Sequence, residues 1–197
     1  MKRRTLVQAA GAAIAMPGLA LAQDKYPSKT ISWICPYAAG GNADQRSRQV
    51  AKAMSAILGQ PIIIENKPGA GGTIAAAQVA KSEADGYTIL VHSSGHVVNP
   101  AIYTNLSYDT LKDLSGVVPM AALPNVLVVA PNRGWKTVGD LVAEAKAKPG
   151  KLNYASAGVG AATHLNAEKF KMQAVFDAVH VPYKGTPEAI TDVIGGR

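Results

Sequence analysis

The stretch TISWICPYAAGGNAD, residues 30–44, decides the fold of this chain. Its first seven residues, Thr30 to Pro36, are rich in β-branched and apolar side chains and predict a buried strand. The turn Ala39-Gly40-Gly41 follows, and apolar residues at helical spacing predict an amphipathic helix from about 43 to 58. Gly59 is placed to end that helix. A strand, a glycine turn and a helix in this order are typical of α/β folds.

The residues after this unit repeat the same alternation. Strands are predicted at 61–65 and 87–92, with a second glycine-rich turn at 69–72 and a helix from about 73 to 81 between them. Together with the first strand, these elements make a βαβαβ unit with short connections, which predicts a parallel sheet. Residues 99–113 are polar, and we expect them to be irregular.

A second run of alternating elements follows a long apolar segment. That segment, Val117 to Val129, contains Pro119 and Pro124, which argue against a single central strand. We expect the chain to pass between two lobes there. Beyond it the sequence predicts helices at 137–148, 163–172 and 187–194 and strands at 152–156 and 178–183.

Capping residues support the starts of two helices. Asn42 and Gln45, three residues apart, resemble a capping box at the start of the first helix. Thr137 and Asp140 are expected to cap the helix that begins the second run.

The first 22 residues have the features of an export signal. Met1 to Arg4 is a short basic head, the run from Leu6 to Leu21 is apolar, and Ala20-Leu21-Ala22 is a small-x-small cleavage site. We therefore expect a signal peptide over residues 1–22, cleaved after Ala22, and a mature protein in the periplasm. An uncleaved membrane anchor is the alternative, and the pair Arg3-Arg4 leaves both Sec and twin-arginine export open.

Charge and cysteine content argue against several classes of protein. The formal net charge is +7, and removal of residues 1–22 takes away Lys2, Arg3 and Arg4, which leaves +4 on a mature chain of 175 residues. The remaining lysines and arginines are scattered and are not interleaved with aromatic residues, which argues against a nucleic-acid surface. Cys35 is the only cysteine, so the chain forms no internal disulfide, and we interpret Cys35 as a buried core residue.

Six short motifs, taken in their order and spacing, resemble one family of receptors. They are PYAAGGNAD at 36–44, ENKPGAGG at 65–72, DGYT at 85–88, SSGHVVNP at 93–100, SAGVGAATH at 156–164 and VPYKG at 181–185. The set resembles the substrate-binding receptors of tripartite tricarboxylate transporters, also called Bug-type receptors, across essentially the whole mature chain. The sequence departs mildly from the family pattern at Tyr37, where Phe is usual, and at Asn42-Ala43, which are usually less polar.

The resemblance implies a two-lobed α/β receptor of the Venus-flytrap type, the fold of periplasmic binding proteins, with its ligand between the lobes. By that pattern the first lobe comprises residues 23–115, and the second lobe, residues 116–197, is incomplete, so we expect a chain truncated in its second lobe. The ligand would be a small organic carboxylate, namely a dicarboxylate, a tricarboxylate, an acidic amino acid or an aromatic acid. The protein would pass it to membrane permease subunits, as a monomer and without a cofactor.

The strand-to-helix turns have the chemistry that a carboxylate needs. A helix N-terminus presents unpaired backbone N–H groups and a partial positive charge, and glycine turns allow a ligand to approach them closely. The resemblance places the ligand at these same turns. The expected ligand-binding residues are Tyr37, Ala39, Gly40, Gly41, Asp44, Ser93, Ser94, Ser156, Gly158, Gly160, Thr163, His164 and Tyr183. Because Arg46 and Arg48 lie inside the first helix, we expect backbone amides of the 39–42 turn to provide most of the anion recognition.

Two sets of polar residues have more than one interpretation. Asp44 is either an acid that stabilises the first turn of its helix or, by the family pattern, a residue beside the ligand. His92 and His96, four residues apart, invite a metal site, but no third ligand lies nearby in sequence and no metal site is predicted. His164 and His180 are interpreted as structural or polar-contact residues.

Two other function classes stay open. An exported α/β enzyme acting on acidic substrates would need a nucleophile paired with a general base, and the sequence shows no such pair. A receptor that reports a carboxylate to a membrane signalling protein would use the same binding chemistry, so the residues do not distinguish it from a transport receptor.

Overall fold

The computed structural model describes residues 25–197, so the predicted signal peptide and its cleavage site after Ala22 lie outside the described residues. Within that range the chain forms two parallel sheets. The first contains β1 (Ile31–Cys35), β2 (Ile62–Asn66) and β3 (Thr88–Leu90) in the order β2-β1-β3. The second contains β4 (Asn153–Ser156) and β5 (Val179–Pro182). The predicted parallel α/β pattern is confirmed.

Six helices connect and follow the described strands. They are α1 (Asn42–Leu58), α2 (Thr73–Ala80), α3 (Gly95–Ile102), α4 (Val138–Ala147), α5 (Ala162–Ala174) and α6 (Thr186–Ile194). Single 3-10 turns lie at Ala70–Gly72 and Pro131–Arg133. In residues 25–197 no helix is both long and apolar enough to cross a membrane.

Helix α3 corrects the expectation that residues 99–113 are irregular throughout. It runs through Pro100, a residue that usually ends a helix. The side-chain amide of Asn99 donates to the carbonyl oxygen of Gly71 at 3.1 Å and so ties the helix to a distant turn. That contact joins residues 28 positions apart, and no local pattern could reveal it.

Strand β1 is the middle strand of its sheet, and helices cover both of its faces. Ile31 and Trp33 pack with Ala51 of α1 on one face, and Ile34 packs with Ala75 and Val79 of α2 on the other. Cys35, at the end of the strand, is fully buried and unpaired, as predicted. A near-continuous apolar strand is what a parallel sheet covered by helices requires.

The second sheet has a smaller core. Ala145 of α4 packs on Leu152 and Ala178, which precede β4 and β5, and Trp135 and Phe176 border this cluster. The predicted cap of α4 is confirmed, because Thr137 and Asp140 form a capping box.

The apolar segment between the two sheets has no regular secondary structure and is largely exposed. The structure assigns no strand to residues 117–129, which agrees with the expectation that the prolines prevent a single central strand. Val117, Val118 and Val126 are between 71% and 81% exposed. Two described sheets joined by this segment fit the expected division at residues 115 and 116, but that division stays a prediction.

Candidate functional site

The turns that follow the strands of the two sheets contact each other directly. A Cβ atom placed on Gly71 would lie 2.5 Å from the carbonyl oxygen of Val159, and one placed on Gly95 would lie 2.8 Å from that of Gly160. At the other end of the contact, the Ala38 N–H donates to the carbonyl oxygen of Lys184 at 3.2 Å. Since the carboxyl ends of parallel strands are where α/β proteins bind ligands, this junction is the candidate site.

The turn before α1 is held by an acid of its own helix. The Gly40 N–H donates to Asp44 Oδ2 at 2.9 Å, and the guanidinium of Arg48 donates to the same carboxylate at 3.1 Å. Burial alone would raise the pKa of Asp44, but these hydrogen bonds outweigh it and hold the pKa below its ordinary value. Asp44 therefore fixes the turn, and its carboxylate binds the N–H of Gly40, a residue predicted to bind the ligand.

The predicted capping box at the start of α1 is wrong. The N-cap is Gly41, which has no side chain to accept a hydrogen bond, and Gln45 donates through its side chain to the carbonyl oxygen of Gly40 at 2.7 Å. Gly59 ends the helix in the left-handed conformation, as predicted.

The N–H groups that remain for a ligand at this turn are those of the helix start. The Gly41 N–H donates to the carbonyl oxygen of Ala38 at 3.3 Å, and the Gly40 N–H is bound by Asp44. Asn42 and Ala43, the first two residues of α1, precede the first intrahelical donor, Gln45. A carboxylate at this turn would therefore meet the amides of Asn42 and Ala43 rather than those of Gly40 and Gly41.

The turn after β3 is joined to the first turn by side chains. The Tyr37 hydroxyl hydrogen-bonds the Ser93 hydroxyl, and burial raises the pKa of Tyr37. His92 Nδ1 lies 2.9 Å from the Ser93 backbone nitrogen and 3.2 Å from the Ser93 carbonyl oxygen. Ser94 is exposed and directly precedes α3.

The turn after β4 binds its own N–H groups with three side chains. Ser156 Oγ accepts from the Gly158 N–H at 3.1 Å, Thr163 Oγ1 from the Ala157 N–H at 3.0 Å, and His164 Nδ1 from the Gly160 N–H at 3.1 Å. These predicted ligand residues are thereby brought together in one turn. As at α1, the first amides of the following helix, beginning with Ala162, precede its first intrahelical donor.

His180 supports this turn, which agrees with its interpretation as a structural or polar-contact residue. Its ring lies 4.1 Å from that of His164 and 4.8 Å from that of Tyr154, all nearly parallel, and its Nε2 lies 2.6 Å from Ser156 Oγ. Burial, and then the neighbouring His164, lower the pKa of His180. The Ser156–His180 contact is a hydroxyl–base pair that the sequence did not reveal. Ser156 is only 2% exposed and its oxygen already accepts the Gly158 N–H, so the pair is placed to hold the turn.

The Tyr183 side chain is bound by the last helix. Its hydroxyl hydrogen-bonds the carboxylate of Asp192 in α6, whereas its backbone N–H donates to the carbonyl oxygen of Ser156 at 3.0 Å. Ala39 is exposed on the first turn. Among residues 25–197 no group of three or more His, Cys, Asp or Glu side chains is placed to hold a metal ion.

Two surface grooves of the described chain are bordered by helices. One is bordered by α4 and α5, and the other by α1 and Met120. Neither is lined by any of the turn residues described above, so the candidate site rests on the geometry of the turns and not on the size of a groove.

Comparison with known proteins shows which family of receptors the chain is similar to. The family model described as tripartite tricarboxylate transporter family receptor matches residues 47–197. Protein BugT of Bordetella pertussis is 35% identical over 200 residues, an alignment that covers all of this chain and 61% of BugT.

Two solved structures with bound ligands share the fold. Rpa4515 of R. palustris with adipate is 34% identical at a TM-score of 0.84, and MatC from Rhodopseudomonas palustris with bound malate is 30% identical at 0.78. Each alignment covers 87% of this chain and 58% of the other protein. The chain thus spans about six-tenths of the length of these relatives. The likeness confirms the α/β fold of periplasmic solute-binding proteins.

Proposed function

We propose, from the premise that this chain belongs to the tripartite tricarboxylate transporter receptor family, that it captures a small organic carboxylate between its two sets of turns. The observation that carries the proposal is the contact between the turns of the two sheets, next to the starts of α1 and α5, whose first N–H groups have no acceptor within their own helices. Family membership supports the class of ligand, because two related structures hold adipate and malate.

The same premise supports a location and a partner. A signal peptide over residues 1–22, cleaved after Ala22, would deliver the mature protein to the periplasm. The bound carboxylate would then pass to the permease subunits of a tripartite transporter. A receptor for a membrane sensor would use the same site, and the two are distinguished by which membrane protein the loaded receptor binds.

Anion recognition by backbone amides has a direct test in the full gene product. Asn42 is the first residue of α1 and follows Gly41 in an extended conformation, so Asn42→Pro deletes one free N–H at a position where helices accept proline. Ala162→Pro does the same at α5, where Ala161 is also extended. Val138→Pro at the start of α4, which lies outside the site, is the matched control.

We expect Asn42→Pro and Ala162→Pro to weaken carboxylate binding, and Val138→Pro to leave it unchanged. A hydrogen bond to a charged group contributes about 1.5–3 kcal/mol, so each loss corresponds to about 10- to 150-fold in affinity. Calorimetry against a panel of mono-, di- and tricarboxylates measures it, with a melting curve for each variant. If no carboxylate binds the wild-type protein, the proposed function is wrong. If carboxylates bind but both proline variants match the control, the backbone model is wrong.

A further inference from the structure

Two stacked histidine rings lie beside the turn that follows β4. The ring of His164, in the first turn of α5, and the ring of His180, in β5, are 4.1 Å apart and inclined by 15°. Both side chains are partly buried and partly exposed, so protons from solvent can reach them. Histidine is the side chain that ordinarily changes its charge between pH 5 and pH 8, so pH can act on this turn through the pair.

The two rings are joined to the turn in different ways. His164 Nδ1 accepts the Gly160 N–H at 3.1 Å, and a ring nitrogen that accepts a hydrogen bond carries no proton of its own. His180 Nε2 lies 2.6 Å from Ser156 Oγ, a hydroxyl that can donate to the ring or accept from it. If His180 gains a proton, Ser156 can direct its own hydrogen to the Gly158 carbonyl oxygen, 3.2 Å away. The contact of His180 therefore survives protonation, whereas that of His164 does not.

Protonation of His164 would replace an attraction by a repulsion. Both nitrogens of an imidazolium carry hydrogens, so the Gly160 N–H would face another N–H group. The ring and the turn would then have to part. The released turn, in which this hydrogen bond is broken, binds a proton at His164 more readily than the tied turn, in which it is made. Acidification therefore shifts the population from the tied turn to the released turn.

The other titratable groups around the two rings are a tyrosine and an ion pair. Glu168 and Lys171, both in α5, lie 3.0 Å apart, so their charges compensate each other. Tyr154, in β4, stacks on His180 at 4.8 Å and hydrogen-bonds Glu168 through its hydroxyl. Burial, and then the neighbouring His164, lower the pKa of His180, so His180 stays neutral to lower pH than an ordinary histidine.

The residue that His164 holds belongs to the contact between the turns of the two sheets. Gly160 has a φ of +80°, in the left-handed region, and its carbonyl oxygen would lie 2.8 Å from a Cβ atom placed on Gly95. The carbonyl oxygen of the preceding residue, Val159, would lie 2.5 Å from a Cβ atom placed on Gly71. A change of backbone conformation at Gly160 therefore moves atoms that touch the turns of the first sheet.

We propose that His164 is a pH-sensitive latch of the turn after β4: its neutral ring ties Gly160, and its protonation releases that turn from the turns of the first sheet. The inference concerns regulation of the candidate site, and it rests on the proposed function for its relevance to a ligand. The latch itself follows from contacts within the protein and is tested without a ligand.

Amide hydrogen exchange in the full gene product measures the latch at pH 7.5 and pH 5.5. A solvated imidazole with the ordinary pKa of about 6.5 is about nine-tenths protonated at pH 5.5, so the protection factor of the Gly160 amide should fall about 10-fold. The Gly40 amide is the internal reference, because it donates to Asp44, a carboxylate whose pKa lies below its ordinary value and which stays charged. Its protection factor should change by less than about 2-fold.

His164→Asn separates the latch from other effects of pH. The amide oxygen of asparagine can accept the Gly160 N–H and does not titrate, so the protection factor of Gly160 should agree within about 2-fold at the two pH values. A protection factor of Gly160 that does not fall in the wild-type protein overturns the proposal and needs no variant. A fall that persists in His164→Asn, or that occurs equally at Gly40, also overturns it.

A second measurement covers a variant that fails to fold. The ring signals of His164 in the wild-type protein, followed by NMR, should titrate with the same midpoint as the protection of Gly160, and different midpoints would refute the latch. No ligand enters either measurement. A protein that binds no carboxylate would therefore refute the proposed function, while the exchange data alone decide the latch.

Discussion

Gly95→Ala should place a wedge between the two sets of turns without harming the helix that carries it. Gly95 is the first residue of α3, and its φ is not in the left-handed region, so alanine suits its backbone and favours the helix by up to about 1 kcal/mol. The new Cβ, however, would lie 2.8 Å from the Gly160 carbonyl oxygen and 3.4 Å from its carbon. These atoms are backbone and cannot rotate away, so we expect a cost of about 1–3 kcal/mol in the contacted arrangement.

That cost applies only where the turns touch, so it should appear in ligand binding and not in folding. A penalty of this size corresponds to a loss of about 5- to 150-fold in carboxylate affinity. The melting temperature should hold or rise, because the helix gains alanine. Gly139→Ala is the matched control: it also lies in the first turn of a helix, α4, and its Cβ meets only Thr137 Oγ1, at 3.4 Å.

The assay combines calorimetry, melting curves and small-angle scattering on the full gene product. A larger radius of gyration for Gly95→Ala, with weaker binding and unchanged melting, is the expected result. Gly185→Ala is a second wedge, because its Cβ would lie 2.7 Å from that of Ala38. Wild-type affinity in both wedge variants would show that the contact between the turns is not part of the binding-competent arrangement, and the argument would fail.

Three other predictions follow from the described contacts. Burial lowers the pKa of His92 from 6.5 to about 4, so on acidification the unfolded chain binds a proton at this histidine before the folded chain does. The free energy of unfolding should therefore fall by about 3 kcal/mol between pH 6.5 and pH 4. Urea unfolding at several pH values tests this, and His92→Phe should make the free energy of unfolding less dependent on pH. Thr137→Ala removes the cap of α4 and should cost about 1 kcal/mol in thermal unfolding, whereas Thr104→Ala, at an exposed position outside the helices, should cost little. Residues 23–197, expressed alone, should bind a hydrophobic dye and self-associate, because the valines of 117–129 are exposed. The double variant Val126→Lys, Val128→Lys should reduce both dye binding and self-association. If residues 23–197 without these substitutions form a monomer that binds no dye, the valines are not exposed in solution and the prediction is wrong.

The order of strands and helices was predictable because its signals are local. Each of these signals depends on a few neighbouring residues. Examples are the apolar run of β1, the apolar residues at helical spacing in α1, and Gly59 at the end of α1, and the structure has all three where the sequence predicts them. Helix α3 was not predicted, because Asn99-Pro100 normally indicates a break. The contact that preserves it, from Asn99 to Gly71, belongs to the tertiary structure.

The candidate site was predictable as a set of turns but not as a set of donors. The sequence shows that the turns contain glycines, such as Gly40, Gly41 and Gly160, which allow a ligand to approach the backbone. It does not show which backbone N–H groups already donate hydrogen bonds to other atoms of the protein. His180 illustrates the difficulty: it lies opposite Tyr154 in the β4–β5 register and thereby reaches Ser156, 24 residues away. Pairing between strands, not any motif, brings that base to the turn.

The ion pair of Asp44 and Arg48 reduces the net positive charge that the candidate site would present to an anion. Arg48 would be the cation nearest the first turn, but its guanidinium is bound by the buried carboxylate of Asp44 and by Asn66, so the two charges compensate each other. Asp44 in turn uses its negative charge to fix Gly40, and this fixes the direction of the next amides, those of Asn42 and Ala43. A carboxylate bound as we propose would then meet short-range N–H dipoles instead of a net positive charge. An N–H dipole interacts with a carboxylate at hydrogen-bond distance, about 3 Å, which is much shorter than the Debye length of about 10 Å at 0.1 M salt. The affinity for a carboxylate should therefore depend only weakly on ionic strength.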